Sequence, residues 1–353
     1  MPHSRPNLIQ RSDAPVLTLD RPWEDGQSAT AVTAMADPNS DDLLLYYLVR
    51  NATDPLQNIL CLARSSDGIH WTKPDLDQGT NIVMRSSGLT TEWGTFMPTS
   101  VLHDPAEKDP EFRWKMIYWD RIDPNLPTGI CLAQSPDGLR WTPCRGTPIV
   151  TGANDAQSAV LENPRALKGP HASPVLIYQQ TWKHNPSLPT ERDNLKFKHR
   201  VISIWNADEF NGRWVGPTLI LEPDEEDASD LQFYWLTPFQ TPTGYGGLLN
   251  CHHTVDQTMD IQLVSSRDGW TWKRELNRTP LLPLGEAGRY DCGMVVAGTP
   301  PVSWQGRTLL FFNARASVHD HQLRYPDQPI PNPEKGIGLA EFSPDLLRIG
   351  EGK

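Results

Sequence analysis

The sequence predicts an all-β fold, a five-bladed β-propeller closed by an N-terminal strand that joins the last blade. Three observations lead there. Four stretches are copies of one another: LCLARSSDGIHWT, ICLAQSPDGLRWT, IQLVSSRDGWTWK and, in decayed form, GIGLAEFSPDLLRI. The first three pass from an alternating run into Asp-Gly, the strongest short hairpin signal, read as a type I′ turn with positive φ at both central residues. The copies are evenly spaced. Asp67 and Asp137 stand 70 residues apart and Asp137 and Asp268 131 apart, so a further copy is due near position 200. HRVISIWNADEFNGRW (199–214) is found there, its turn altered to Asp208-Glu209-Phe210. Five such sheet units in 353 residues imply radial repetition about an axis.

Each unit reads as four antiparallel strands running from the axis to the rim. The first is GQSATAVTAMAD, LLLYYLVR, NILCLARS and a rim strand from Trp71; the second is GTFMPTSVLHD, RWKMIYWD, GICLAQS and a rim strand from Trp141. AQSAVLEN, SPVLIYQQTW and HRVISIWN build the third, and LQFYWLTPF, YGGLLNCHH and MDIQLVSS the fourth. The fifth, CGMVVAGTP, RTLLFFNAR and GIGLAEF, lacks a rim strand of its own, and APVLTLD (14–20) is expected to supply it and remove both free edges. No linker-like stretch divides the chain, so residues 1–353 read as one domain.

Composition sets limits on function. With 25 Gly, 33 Pro and 13 Trp the chain suits short strands, tight turns and aromatic packing. No run of 18 apolar residues is present, so no membrane span is expected. The N-terminal MPHSRPNLIQRSDAP carries no apolar signal segment, and the expected location is cytoplasmic. Cys61 and Cys131 occupy the same position in two repeats, which marks them as small buried apolar residues rather than disulfide partners. A net charge of −11 with no basic cluster argues against nucleic acid. The sequence leaves the oligomeric state open.

The strand order sorts residues onto two faces. The Asp-Gly turns share one face, where they resemble the Asp boxes of sialidase-like propellers and have a structural role. On the opposite face a carboxylate stands at or before the start of every inner strand: Glu24 and Asp25, Glu92, Asp155, Asp230 and Asp291. Inner-strand starts converge on the axis, so these groups are expected to ring one pocket. Like charges crowded there raise some pKa values, as general acids require. The second strands end in polar residues at the same face: Arg50, Asp120 and Arg121, Gln180 and Trp182, His252 and His253, Asn313 and Arg315.

Two carboxylates across an acetal are what glycoside hydrolysis needs, one protonated to serve the leaving oxygen and one ionised. Glu24, Asp155, Asp230 and Asp291 are therefore the catalytic candidates. Trp23, Trp93 and Tyr234 offer stacking platforms, and Asp25, Glu92, Asp120, Arg121, Gln232, His252, Arg315 and His319 offer hydrogen bonds to sugar hydroxyls. No cofactor motif is present. HxH and HExxH spacings are lacking, although carboxylates with His252, His253 or His319 leave a central divalent ion such as calcium open.

The segment from HRVISIWNADEF through GRYDCGMV, together with RPWEDG and FRWKMIYWD, resembles the five-bladed propeller glycosidases. It is most similar to a bacterial branch related to the invertase/levanase and arabinanase/β-xylosidase families, and the resemblance covers nearly the whole chain. By matching position it implies Glu24 or Asp25 as the first-blade base or nucleophile, Asp155 as the middle acid, and Asp230 or Asp291 as the later member. The N-D-P-N-G, R-D-P and E-C motifs of the invertases are missing. The expected activity is hydrolysis of small oligosaccharides or glycosides, with furanosides favoured by the resemblance. The alternatives are phosphorolysis, which calls for a cationic pocket (Arg50, Arg121, Arg315, His319), and sugar binding without cleavage.

Overall fold

A computed structural model describes residues 5–76, 78–91, 96–151, 158–162, 173–187, 189 and 191–350. Their regular structure is strand with four short 3₁₀ turns, and no helix among them is long and apolar enough to cross a membrane. The first sheet contains Ser28–Ala36, Leu43–Arg50, Ile59–Ser65 and Ile82–Arg85 in chain order. The second has Met97–His103, Trp114–Asp120 and Gly129–Ser135 with Val150–Thr151 outermost, and the third Ser158–Glu162, Val175–His184, Lys198–Ala207 and Val215–Leu221. A large last sheet begins with Leu231–Thr241, Gly244–His253 and Met259–Ser266. It continues through Met294–Val296, Arg307–Arg315 and Lys335–Phe342 to Leu8–Arg11. One parallel pairing, Met259 with Met294, joins its two halves. Among the described residues no sheet closes on itself.

Two expectations need correction, and a third is met in part. The N-terminal edge strand is Leu8–Arg11, not 14–20; it pairs antiparallel with Lys335–Phe342, and the Val16 N–H adds a last bond to Ile337 O. Pro15 packs over Gly336 and has no N–H to give, so regular pairing ends before it. The Asp-Gly turns are not type I′. Only Gly68, Gly138 and Gly269 take positive φ (79°, 75° and 78°), while the aspartates do not. Ser65 Oγ accepts from the N–H of Asp67 and Gly68, and Asp67 Oδ1 accepts from Ile69 and His70 at 2.7 Å each. Those captured N–H groups cannot enter a ladder. The chain touches its sheet again just after the turn, at Thr72, Thr142–Pro143 and Trp272–Arg274, beside the expected rim positions Trp71 and Trp141. The outermost strands Ile82–Arg85 and Val150–Thr151 follow only later.

The tryptophans after the turns act between sheets instead. Trp71, Trp141 and Trp272 meet Phe311, Tyr46 and Tyr178 of the neighbouring sheet edge-on, with ring centroids 5.4, 6.4 and 5.7 Å apart. Tyr46 and Tyr178 also donate to the carbonyls of Gly138 and Gly269. Apolar clusters fill each space between sheets, and all five cysteines are buried and free.

An inner strand is a sheet edge, and its free N–H groups need partners. Polar side chains of the next sheet supply them. Thr33 accepts from Val101 N, Ser100 from Val160 N, Asn250 from Ala297 N and Asn313 from Ala31 N, at 2.9, 3.3, 2.7 and 2.7 Å. Gln232 serves the third sheet by accepting from Arg200 N at 3.1 Å. Inner strands of every sheet then line one cavity of about 610 Å³, through Thr33, Val101, Val160, Thr237 and Gly298, at the face of the strands' far ends.

Candidate functional site

A second cavity, of about 650 Å³, opens where inner strands begin and second strands end. Thr30, Tyr234 and Met294 reach it from inner strands, and Arg50, Asn313 and Arg315 from second strands. Two loops complete it with Arg192 and Asn194, and with His319, Asp320 and His321. Tyr234 owes its place to a register slip between Phe233 and Trp235. The extra residue turns its ring off the pleat and into the cavity while its neighbours stay buried.

A chain of polar contacts runs back from the Tyr234 hydroxyl. It lies 3.1 Å from Nε2 of His319, whose Nδ1 is 3.9 Å from Asp193. Asp193 is held by both terminal nitrogens of buried Arg200, at 2.6 and 3.0 Å, and Arg200 also donates to Gln232 and Asn194. The guanidinium lies 5.1 Å from the Tyr234 ring. Burial, helped by the charges of Arg200, Arg315 and His321 and opposed by Asp193, pushes His319 down to about 4. His252, stacked 4.4 Å from His319, falls well below its ordinary value for the same leading reason. Both imidazoles are neutral at pH 7. His319 can then exchange a proton with Tyr234, the kind of step acid–base catalysis uses.

Two arginines at this cavity have no carboxylate partner among the described residues. Arg50 donates to Thr30 Oγ1 and the Met97 sulfur; Arg315 donates to the Met294 sulfur, His321 Nδ1 and Val318 O. Burial pulls both guanidiniums below their ordinary pKa. Arg192, by contrast, is paired with Asp320 at 2.8 Å. His321 is held against Arg315 with φ of +69°, a strained backbone at the cavity wall.

The other sequence candidates divide. Glu24 is fully buried, taking Lys73 at 2.5 Å, the Tyr47 hydroxyl at 2.6 Å and the N–H of Asp20 and Arg21. Asp291 is fully buried between Arg11 (2.6 Å) and Arg289 (3.2 Å). Glu24 neutralises buried Lys73 and Asp291 the half-buried Arg11 and Arg289, and neither carboxylate lines the cavity. That corrects the expectation of a ring formed by Glu24, Asp230 and Asp291. Asp230 accepts from Val255 N outside the lining, and Asp25 is exposed. Trp23 donates to Asn81, and Asp120 accepts from Ser87 and Arg121 N, so neither faces the cavity. Arg121 folds onto the carbonyls of Pro124 and Leu126 of its own loop. Gln232 and His252 stand behind the lining around Arg200. Tyr234, Arg315 and His319 do line it. Glu92, Trp93 and Asp155 lie outside the described residues.

Arg192, Asp193 and Asn194 were missed because they sit on an irregular loop that no strand period indexes. The one signal was that TWKHNPSLPTERDNLKF is long, polar and on the cavity face.

Asp193, His252 and His319 bring one ligand atom each within 4.8 Å of one another, a grouping a metal could use. It does not fit a divalent ion. Arg200 occupies both Asp193 oxygens and comes within 3.5 Å of His252 Nδ1, so a cation already fills that role. Calcium would also want six or more oxygen ligands.

No family model and no curated protein matches the chain. Solved structures do. A glycoside hydrolase matches 94% of this chain and 92% of its own at 13% identity, with a TM-score of 0.62. A Bacteroides ovatus glycosyl hydrolase matches 97% and 91% at 13% identity, TM-score 0.57. A third structure is described as showing that the GH130 family of mannoside phosphorylases contains glycoside hydrolases that target β-1,2 mannosidic linkages in Candida mannan. It matches 97% and 91% at 14% identity, TM-score 0.58. The chain has the fold of the propeller glycosidases. At such identities the likeness concerns fold alone.

Proposed function

We propose that the sheets are five blades of one closed propeller spanning residues 1–353, and that the chain cleaves glycosides in the cavity around Tyr234. The large sheet is read as the fourth and fifth blades, fused at the Met259–Met294 pairing. Closure is read from the Asn313 side chain, which ties the last blade to Ala31 of the first, and from Leu8–Arg11 on the last blade's outer edge.

The observation that carries the activity is the Tyr234–His319 pair, backed by Asp193, at the axial cavity of a glycosidase-like fold. Cleaving an acetal requires proton delivery to the leaving oxygen and activation of the attacking group. Neutral His319 accepts the Tyr234 proton as the phenol oxygen bonds to the anomeric carbon and the glycosidic C–O bond breaks. The imidazolium so formed, beside Asp193, gives that proton to the departing oxygen, and water later hydrolyses the tyrosyl glycoside and restores the phenol. Tyr234 also presents a ring face for stacking. Asp155 is proposed as the carboxylate of the site on its sequence position alone, just before Ser158–Glu162; Asp230 is a candidate at the rim. A carbohydrate is the proposed partner. Incubating the protein with neutral and acidic oligosaccharides and detecting new reducing ends tests this. No release from any of them, by protein of intact fold, would leave sugar binding without cleavage as the better reading.

A second reading, phosphorolysis, has its own support: Arg50 and Arg315, two of the three arginines it calls for, share the cavity, with the uncharged imidazole of His319 beside them. A rate that depends on inorganic phosphate, with a sugar 1-phosphate as product, would decide for it.

A further inference from the structure

We propose that Arg50 and Arg315 together form a binding site for an oxyanion, either a carboxylate carried by the sugar or inorganic phosphate. The inference rests on the proposed cavity being where substrate binds, but not on cleavage occurring there.

Burying a cation without a counter-charge is expensive, and native proteins neutralise it or leave it a ligand to meet. This chain does the former elsewhere. Lys73 has Glu24 and Asp20, Arg200 has Asp193, and the half-buried Arg11 and Arg289 share Asp291. Among the described residues, the half-buried Arg50 and Arg315 break the pattern. Their acceptors are two thioether sulfurs, a hydroxyl, an imidazole and one carbonyl, of which thioethers are weak acceptors and none carries charge. The two guanidiniums also feel each other's repulsion, and the acidic groups acting on Arg315, Glu334 and Asp320, are not within ion-pair distance of it. The adjacent imidazoles of His319 and His321 are both pushed toward the neutral form and add little to that repulsion, and His321, whose Nδ1 faces Arg315, has its Nε2–H to offer an anion.

The placement is specific as well. Arg50 and Arg315 end equivalent second strands of the first and last sheets, rigid elements that aim both forks at one volume. Guanidinium forks match planar carboxylates and phosphates in a bidentate manner. A local excess of positive charge in a chain of net charge −11 draws a small anion from an otherwise repelling surface.

The test is calorimetric titration of the whole protein at pH 7 and constant ionic strength. The probes are inorganic phosphate, glucuronate and galacturonate, with glucose as the neutral control. At least one anion should bind at least tenfold more tightly than glucose. Arg50→Gln should weaken it at least tenfold, while Arg50→Lys keeps part of the affinity. The same Arg50→Gln change should leave the melting temperature of the free protein unchanged or raised, since it removes an uncompensated charge; a purely structural arginine would lower it. Binding of phosphate alone identifies a free co-substrate, and binding of uronates alone identifies an acidic sugar. If no anion binds better than glucose, or if Arg50→Gln binds it as the parent does, the site is refuted. Anion binding without sugar release would instead refute the cleavage reading and leave this one standing. Among the described residues Arg50 makes two side-chain bonds, so its variant serves even if Arg315→Gln fails to fold.

Discussion

The Tyr234 hydroxyl and Nε2 of His319 stand 3.1 Å apart, joining an inner strand to a loop 85 residues later in the chain. Between the Tyr234 ring and the protein's interior lies Arg200, which anchors Asp193 and thereby the side of His319 away from the cavity. This arrangement fixes which tests separate a working site from a packed one.

The pH response follows from His319. Its folded value near 4 lies below the ordinary 6.5, so the unfolded chain binds more protons between those values. Stability from this group is therefore complete above pH 6.5 and falls as pH drops toward 4, by an amount on the order of a few kcal/mol. His252 acts in the same direction. Melting temperature followed from pH 8 to pH 4 should decline across this window, and His319→Gln should flatten the decline.

Glu24→Gln separates structure from chemistry. The change leaves buried Lys73 with only exposed Asp20 as counter-charge. Stability should fall by about 3–5 kcal/mol, the usual cost of breaking a buried pair. Turnover per folded molecule should stay near that of the parent. A loss of activity of about 10²-fold with the melting temperature unchanged would return Glu24 to the catalytic group.

The Asp-Gly turns allow a graded comparison. Asp137→Ala removes the acceptor for Leu139 and Arg140 N and should cost about 1 kcal/mol. Gly138→Ala should cost more. Its φ is +75°, and a Cβ there would come 2.6 Å from the Tyr46 hydroxyl and 3.0 Å from Trp114. Gly26→Ala, at a similar φ but with open space around it, should be the mildest of the glycine changes. Chemical denaturation of the three variants checks the order.

Much of the fold was legible because its period is strict. Strands such as Leu43–Arg50, Gly129–Ser135 and Arg307–Arg315 begin and end where the apolar pattern does, and the altered copy near position 200 does form a hairpin, Lys198–Ala207 with Val215–Leu221. Outer strands were partly legible. Thr72, Thr142–Pro143 and Trp272–Arg274 pair beside the repeat tryptophans, but the outermost strands Ile82–Arg85 and Val150–Thr151 come later, after Asp67 and its equivalents capture the next two N–H groups. The site was half legible. Tyr234, Arg50 and Arg315 followed from strand order and His319 from its residue type, whereas Glu24 and Asp291 are drawn inward by Lys73, Arg11 and Arg289. Those cations come from distant sequence positions, 49, 280 and 2 residues away, and only the last is a neighbour that sequence reading could have paired.

The N-terminal segment should prove essential to the last sheet. Removing residues 1–12 deletes the Leu8–Arg11 pairing, exposes the edge of Lys335–Phe342 and leaves Asp291 without Arg11. Soluble yield and melting temperature should both fall, and light scattering should report association. A shortened chain that melts like the parent would show that the first sheet's bonds to Asn313 suffice for closure.

The central claim is that glycosides are cleaved at the Tyr234–His319 pair, and sugar release by Tyr234→Phe measured beside the parent tests it most directly. The panel should span neutral and acidic glycosides, each with and without inorganic phosphate. The account predicts that the parent cleaves at least one of them and that Tyr234→Phe, which keeps the ring and loses the hydroxyl, is slower by about 10²-fold or more at an unchanged melting temperature. Equal rates in the two proteins, on a substrate the parent cleaves, would contradict it.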